Sequence, residues 1–205
     1  AATQQLLRAD FETVRPLSAD KFAEVLAEVE DKLKTAKAVV LSDYGKGMLV
    51  PELVAQVIAV ANKACVPVIV DPKGDDYSRY RGAFIVTPNK KELALATRMS
   101  VVGDEAIVAA ARSLIEKCGI KNVLVTRSQE GMTLVEGSGN VTHLPAQARE
   151  VFDVSGAGDT VVAAMAAGLG AGIDAVSAAQ IANLAGAIVV GKIGTAVAYE
   201  QELLD

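Results

Sequence analysis

The chain has no tryptophan, and aromatic residues make up only 4% of its 205 positions. Hydrophobic residues nevertheless reach 51%. Alanine, valine and leucine must therefore carry the core, a composition suited to parallel strands buried beneath helices. Positive charge is also scarce. Twenty Lys and Arg against 25 Asp and Glu leave a formal charge of −5, with no basic run, so nothing sequence-wide attracts nucleic acid. A local anion site stays open, because a pocket needs only a few donors. The two cysteines, Cys65 and Cys118, stand alone, without a CxxC pair or a nearby histidine. That argues against zinc and reads as buried thiols in a reducing compartment. No uninterrupted apolar stretch reaches the ~18 residues of a membrane helix, and the opening AATQQLLRADFE lacks the layout of a signal peptide. The expectation is a cytoplasmic protein with neither membrane nor nucleic-acid partner.

What is present alternates. Loose alternation over residues 4–11 suggests a short strand. The apolar positions Phe22, Val25, Leu26, Val29 and Leu33 then recur every three or four residues, predicting an amphipathic helix from Ser18 to about Lys34. AVVL (38–41) reads as a strand, and Pro51 opens a helix running to about Cys65. VPVIVD (66–71), FIVTPN (84–89) and NVLVT (122–126) read as further strands. Helices are expected over Lys90–Thr97 and, capped by Asp104, to Lys117. GMTLVE (131–136) and NVTHLP (140–145) flank Gly137-Ser-Gly-Asn140, a hairpin signature. Two alanine-rich helices follow, near 157–170 and 174–190, and then a short tail. Strands alternating with helices predict an α/β fold with a largely parallel sheet, and the length suits one domain over residues 1–205. In such sheets ligands bind beyond the carboxyl ends of the strands. The loops there are SDYGKG, DPKG, TPNKKE and TRSQEG, all polar.

The most informative stretch is Asp153-Val-Ser-Gly-Ala-Gly-Asp159, followed by TVVAAMAAGL. Gly156, Ala157 and Gly158 allow a sharp turn and a close backbone approach to a ligand. Their N–H groups, at a helix start, can form an anion hole for phosphate oxygens. Asp159 stands beside that hole, where the helix dipole favours a carboxylate able to accept a hydroxyl proton. An ordinary capped helix would use the same residues. The pairing of Asp153 and Asp159 around the turn, and the apolar helix that follows, favour the functional reading. Two decoys fall away. Gly186-Ala-Ile-Val-Val-Gly-Lys192 matches GxxxxGK, but Ile193 stands where a P-loop needs Ser or Thr, inside a helical pattern. GLGAG (168–172) lacks the dinucleotide-binding spacing and closes a helix.

The run from Asp153 to Ala166 resembles the second signature of the ribokinase-like (phosphofructokinase B type) carbohydrate kinases, in which GAGD opens a helix. The resemblance implies Asp159 as general base, with Gly156, Ala157 and Gly158 stabilising the transferred phosphoryl group. TPNKKE resembles the family's N-x-x-E motif, placing Asn89 and Glu92 near Mg²⁺ and the phosphates, with Glu92 an indirect Mg²⁺ ligand. A helix N-cap at Asn89 with an acidic first turn is the plain alternative. Thr126, Arg127 and Gly131 then fall near ATP, and Asn183 and Gly194 on the adenine side. Asp153, with Ser155 and the 189–198 loop, falls where relatives hold a monovalent cation such as K⁺.

Within the family, LSDYGKGML (41–49) and VDPKGDDYSRYRGAFIVTPN (70–89) resemble the kinases of D-glycero-β-D-manno-heptose 7-phosphate, which serve lipopolysaccharide core synthesis. That implies ATP-dependent phosphorylation at C1 to the 1,7-bisphosphate. Lys46, Lys73, Arg79 and Arg81 are then available for an anionic substrate, and Asp43, Tyr44 and Asp71 for its hydroxyls or for cations. Taken singly, each also reads as a solvated loop charge. Family members open with a strand, a Gly-Gly sugar-binding segment and a small β lid, and this chain enters the pattern after them. The implied fold is thus ribokinase-like, lacking its N-terminal segment and β lid, with the nucleotide side largely present. The resemblance is compatible with a homodimer and with a fused nucleotidyltransferase domain. Other readings are a kinase of a different sugar and a nucleotide-binding fragment without turnover.

Overall fold

The expected alternation is realised as one six-stranded sheet with its strands side by side in chain order. The computed structural model describes residues 7, 9, 11–147 and 151–204. Its strands are β1 (Val39–Ser42), β2 (Val68–Asp71), β3 (Ile85–Val86), β4 (Asn122–Thr126), β5 (Met132–Glu136) and β6 (Val141–Leu144). β1 to β4 pair in parallel, while β4, β5 and β6 pair antiparallel. The β5–β6 hairpin closes where its glycines predicted, with Glu136 donating to the Asn140 carbonyl at 3.0 Å.

The helices are α1 (Ala19–Lys32), α2 (Pro51–Lys63), α3 (Lys90–Thr97), α4 (Asp104–Cys118), α5 (Ala157–Gly170), α6 (Ala175–Val190) and α7 (Glu200–Leu204). Pro51 occupies the first turn of α2, where its missing N–H would have had no partner. Asp174 caps α6 by accepting the amides of Val176 and Ser177, each at 3.0 Å. α4 departs from expectation. Gly103 is its N-cap and Asp104 its first residue, because the Asp104 carboxylate is taken by Arg127 at 2.6 Å.

The period of two along each strand divides the core between the two faces of the sheet. Val68, Val70, Val123 and Val125 pack with Leu53, Ile58, Ile107 and Leu114 of α2 and α4. Ile69, Ile85, Leu124 and Leu134 pack with Val161, Met165, Ala178 and Ala182 of α5 and α6. The result is helices on both faces of a mostly parallel sheet. α1 contributes only partly buried residues, among them Phe22, Val25 and Leu26, so it covers the core edge.

Two expectations need correction. The strand over 4–11 falls largely outside the described residues, and Leu7, Ala9 and Phe11 are not in a strand. Neither cysteine is buried: Cys65 is exposed and Cys118 half-buried. Cys65 follows the end of α2 with φ +57°, in a surface turn that keeps its thiol out of the core. A 3-10 turn, Tyr77–Tyr80, lies between the DPKG loop and β3, its two tyrosines buried beneath α2 and α4.

Candidate active site

The carboxyl ends of β1 to β4 and the start of α5 surround an open cleft of about 270 Å³. Tyr44, Asp71, Thr87 and Thr126 line it from the sheet, Asn89 and Glu92 from α3, and Gly158, Asp159 and Val161 from α5. The glycine-rich turn explains the α5 wall. Gly156 is the helix N-cap with φ +78°, a left-handed conformation that glycine adopts without strain. A Cβ on Gly158 would meet nothing within 4 Å, so the first turn presents bare backbone to the cleft. Ala157 donates its amide to the Val154 carbonyl at 3.3 Å. The Gly158 and Asp159 amides have no acceptor among the described residues. The Gly156 amide likewise has no acceptor there, so of the three residues expected at the turn only Ala157 has its amide engaged. Tyr44 reaches across and donates a long hydrogen bond, 3.4 Å, to Asp159 Oδ1.

On α3, Asn89 and Glu92 form a complete capping box. Asn89 Oδ1 accepts the Glu92 amide and Glu92 Oε2 accepts the Asn89 amide, both at 3.0 Å. The cap consumes one polar atom of each side chain and leaves Asn89 Nδ2 and Glu92 Oε1 for other partners. Glu92 Oε1 lies 4.0 Å from Lys73 Nζ. The structural and functional readings of this motif are thus compatible.

Negative charge is concentrated here. Burial, then the neighbouring Glu92 and Asp159 carboxylates, push the Asp71 carboxyl up to about 6, with Lys73 opposing the shift. A site where neighbouring carboxylates raise the proton affinity of Asp71 is one a cation would relieve. No group of three or more His, Cys, Asp or Glu among the described residues could enclose a metal. Asp71 and Glu92 could face a Mg²⁺ ion whose other ligands are phosphate and water, the usual mode for this ion.

Other candidates lie elsewhere. Arg127 is buried, its guanidinium committed to Asp104, Glu130 and Thr133. Gly131 answers backbone crowding: with φ +83°, a Cβ there would sit 2.0 Å from the Leu144 carbonyl oxygen. The buried Asn183 donates to the Pro145 carbonyl at 2.8 Å. Lys46 pairs with Glu12. The Asp153 carboxylate lies below the usual range, held first by Ser155, through its amide and hydroxyl, and then by the Gly194 amide. Asp43 is buried. Sequence reasoning missed Thr87 and Val161 as cleft residues. Thr87 sits in FIVTPN, which read as strand throughout, whereas β3 ends at Val86.

A family model described as pfkB family carbohydrate kinase matches residues 3–202. The chain belongs to this family. Among curated relatives of this pfkB chain, bifunctional protein HldE of Paramagnetospirillum magneticum is 56% identical over 204 residues, covering 100% of this chain and 42% of the relative. HldE of Rhodospirillum rubrum is 52% identical over 204 residues, covering 100% and 41%. The chain thus spans about two-fifths of the length of these relatives. Solved pfkB-like structures agree in fold. Phosphofructokinase-2 from Escherichia coli in complex with potassium superposes with a TM-score of 0.80 at 23% identity, over 92% of this chain and 62% of that one. Arabidopsis thaliana ribokinase complexed with ribose and ATP gives 0.75 at 26%, over 92% and 59%. No helix among the described residues is long and apolar enough to cross a membrane.

Proposed function

We propose that this chain carries the phosphoryl-transfer machinery of an ATP-dependent kinase that phosphorylates D-glycero-β-D-manno-heptose 7-phosphate at C1, supplying heptose for lipopolysaccharide core. The observation that carries the reading is Asp159, at the first turn of α5, beside unpartnered backbone amides and across the cleft from Asn89 and Glu92. Phosphoryl transfer asks mainly for positioning and neutralisation of charge. In this reading Asp159 accepts the proton of the attacking hydroxyl, while the Gly158 and Asp159 amides hold oxygens of the transferred group. Glu92 and Asp71 face the region where Mg²⁺, when bound, would offset phosphate charge. The open helix turn at Gly158 keeps any side chain from displacing that group.

The sugar assignment rests on the SDYGKG and DPKG loops, supported by more than 50% identity to the HldE proteins. Because those relatives are bifunctional and longer, a fused nucleotidyltransferase domain belongs to the same proposal. The test is ADP release by the full-length protein with heptose 7-phosphate, fructose 6-phosphate and ribose, and NMR assignment of the product. Strong preference for the heptose phosphate with product at C1 is the expected result. Equal turnover of an unphosphorylated sugar would leave only a general sugar kinase.

A further inference from the structure

We infer that Tyr80 is a positioning residue for the reaction: its phenol ties the loop after β1 to the loop after β2 and thereby sets Tyr44 against Asp159. This rests on the kinase reading above, but the tie itself is visible in the geometry.

Tyr80 is fully buried. Its hydroxyl donates to Asp43 Oδ2 at 2.7 Å and accepts the Lys73 amide at 3.2 Å. A phenol has one proton. The alternative acceptor, the Lys73 carbonyl, is more distant at 3.3 Å, so the proton belongs to the carboxylate, where the bond is charge-assisted. Burial foremost pushes the Tyr80 phenol above its ordinary value, which keeps it a donor. Asp43 is held on every side. Its Oδ1 accepts the Gly45 amide at 2.8 Å, and its own amide donates to the Asp71 carbonyl at 3.0 Å. Arg79 Nη1 lies 3.5 Å from Oδ2, and Nη2 of the same guanidinium donates to the Leu49 carbonyl. A buried carboxylate needs this compensation, since losing hydration without partners is costly.

The consequence falls on Tyr44, which lies between two fixed residues, Asp43 and Gly45. It is itself exposed and has no core packing to orient it, yet its hydroxyl reaches Asp159. Asp71, at the end of β2, lines the same cleft, and Lys73 on the second loop lies 4.0 Å from Glu92 Oε1. Asp43 thus acts through its neighbour: buried, with both oxygens engaged, it holds the frame that Tyr44 stands on. The 3-10 turn Tyr77–Tyr80 is the anchor, its two rings meeting edge to face at 5.5 Å.

Tyr80→Phe removes the hydroxyl and keeps that ring packing. In the full-length protein, hydrogen exchange at the Gly45 and Lys73 amides should accelerate about tenfold or more as the tie is lost. The kcat/KM for the sugar phosphate should fall about tenfold while the nucleotide Kd stays within about twofold, a split that general loss of fold would not give. Unchanged exchange at those amides overturns the inference. So does faster exchange accompanied by unaltered kcat/KM. A wild-type protein that phosphorylates no sugar refutes the kinase reading instead, and the exchange measurement then decides the tie by itself. Should Tyr80→Phe not fold, Asp43→Asn keeps the shape, weakens the same bond and takes the same two measurements.

Discussion

Gly158, Asp159 and Val161 form one wall of the cleft from the first turns of a single helix, whereas Tyr44, Asp71, Asn89, Glu92 and Thr126 reach the other wall from the carboxyl ends of β1, β2 and β4 and from the start of α3. The first wall is local. A left-handed glycine, a helix start and a carboxylate at a fixed spacing produce it wherever that helix forms. The second wall exists only because parallel strands bring their carboxyl ends together, and because buried side chains hold the loops in register. Chemistry concentrated in one wall and geometry distributed through the other should respond differently to substitution.

The largest expected effect lies on the local wall. Asp159→Asn removes the proposed proton acceptor and should lower kcat by about 10²–10⁴-fold, with thermal stability and nucleotide affinity retained. Steady-state turnover of the full-length variant, compared with its calorimetric Tm and nucleotide titration, checks this. Near-normal turnover would remove Asp159 from the mechanism and the contrast with it.

Beneath the distributed wall, Arg127 offers the complementary result. Its side chain is 8% exposed, while the Asp104 and Glu130 side chains it binds are 57% and 43% exposed. In Arg127→Met those acids can turn to solvent, but the buried Thr133 hydroxyl loses its charged donor and keeps only His143 Nδ1, at 3.0 Å, as a partner. A loss of about 2 kcal/mol in unfolding free energy is expected, read by denaturant titration, with nucleotide affinity unchanged. Weakened nucleotide binding without lost stability would instead make Arg127 the ligand contact that its place in TRSQEG suggested.

The smallest effect sharpens the comparison through pH. The Asp71 carboxyl is pushed up to about 6, so the folded chain retains a proton there that the unfolded chain gives up at lower pH. Stability from this group is full below about pH 4 and lost as pH rises through about 6. Asp71→Asn should therefore match wild type near pH 4 and exceed it by about 1 kcal/mol near pH 8, after allowance for solvent screening. Denaturation midpoints across that range test it. A variant less stable than wild type at the higher pH would mean that the Asp71 carboxylate is stabilised there by a partner other than Lys73.

Much of this was legible in the order of residues. Apolar runs at period two and stripes near period 3.6 located the strands and helices, with Lys90–Thr97 and Asn122–Thr126 found to the residue, because burial imposes those periods directly. GAGD located a helix start for the same reason: its demands on backbone conformation are met within a few positions. What tertiary structure decided is which polar groups remain free. Asp104, read as a cap, is taken by Arg127. Gly131 is fixed by the Leu144 backbone, and Asn183 is taken by the Pro145 carbonyl. The Tyr77–Tyr80 turn had no periodic signal, and Tyr80 meets Asp43 across 37 positions of chain. A hydrogen bond depends on distance and angle, which become defined only when the sheet has assembled. Residue types and spacings can state what chemistry a side chain is able to do, but the packed fold settles whether that side chain is still available to do it.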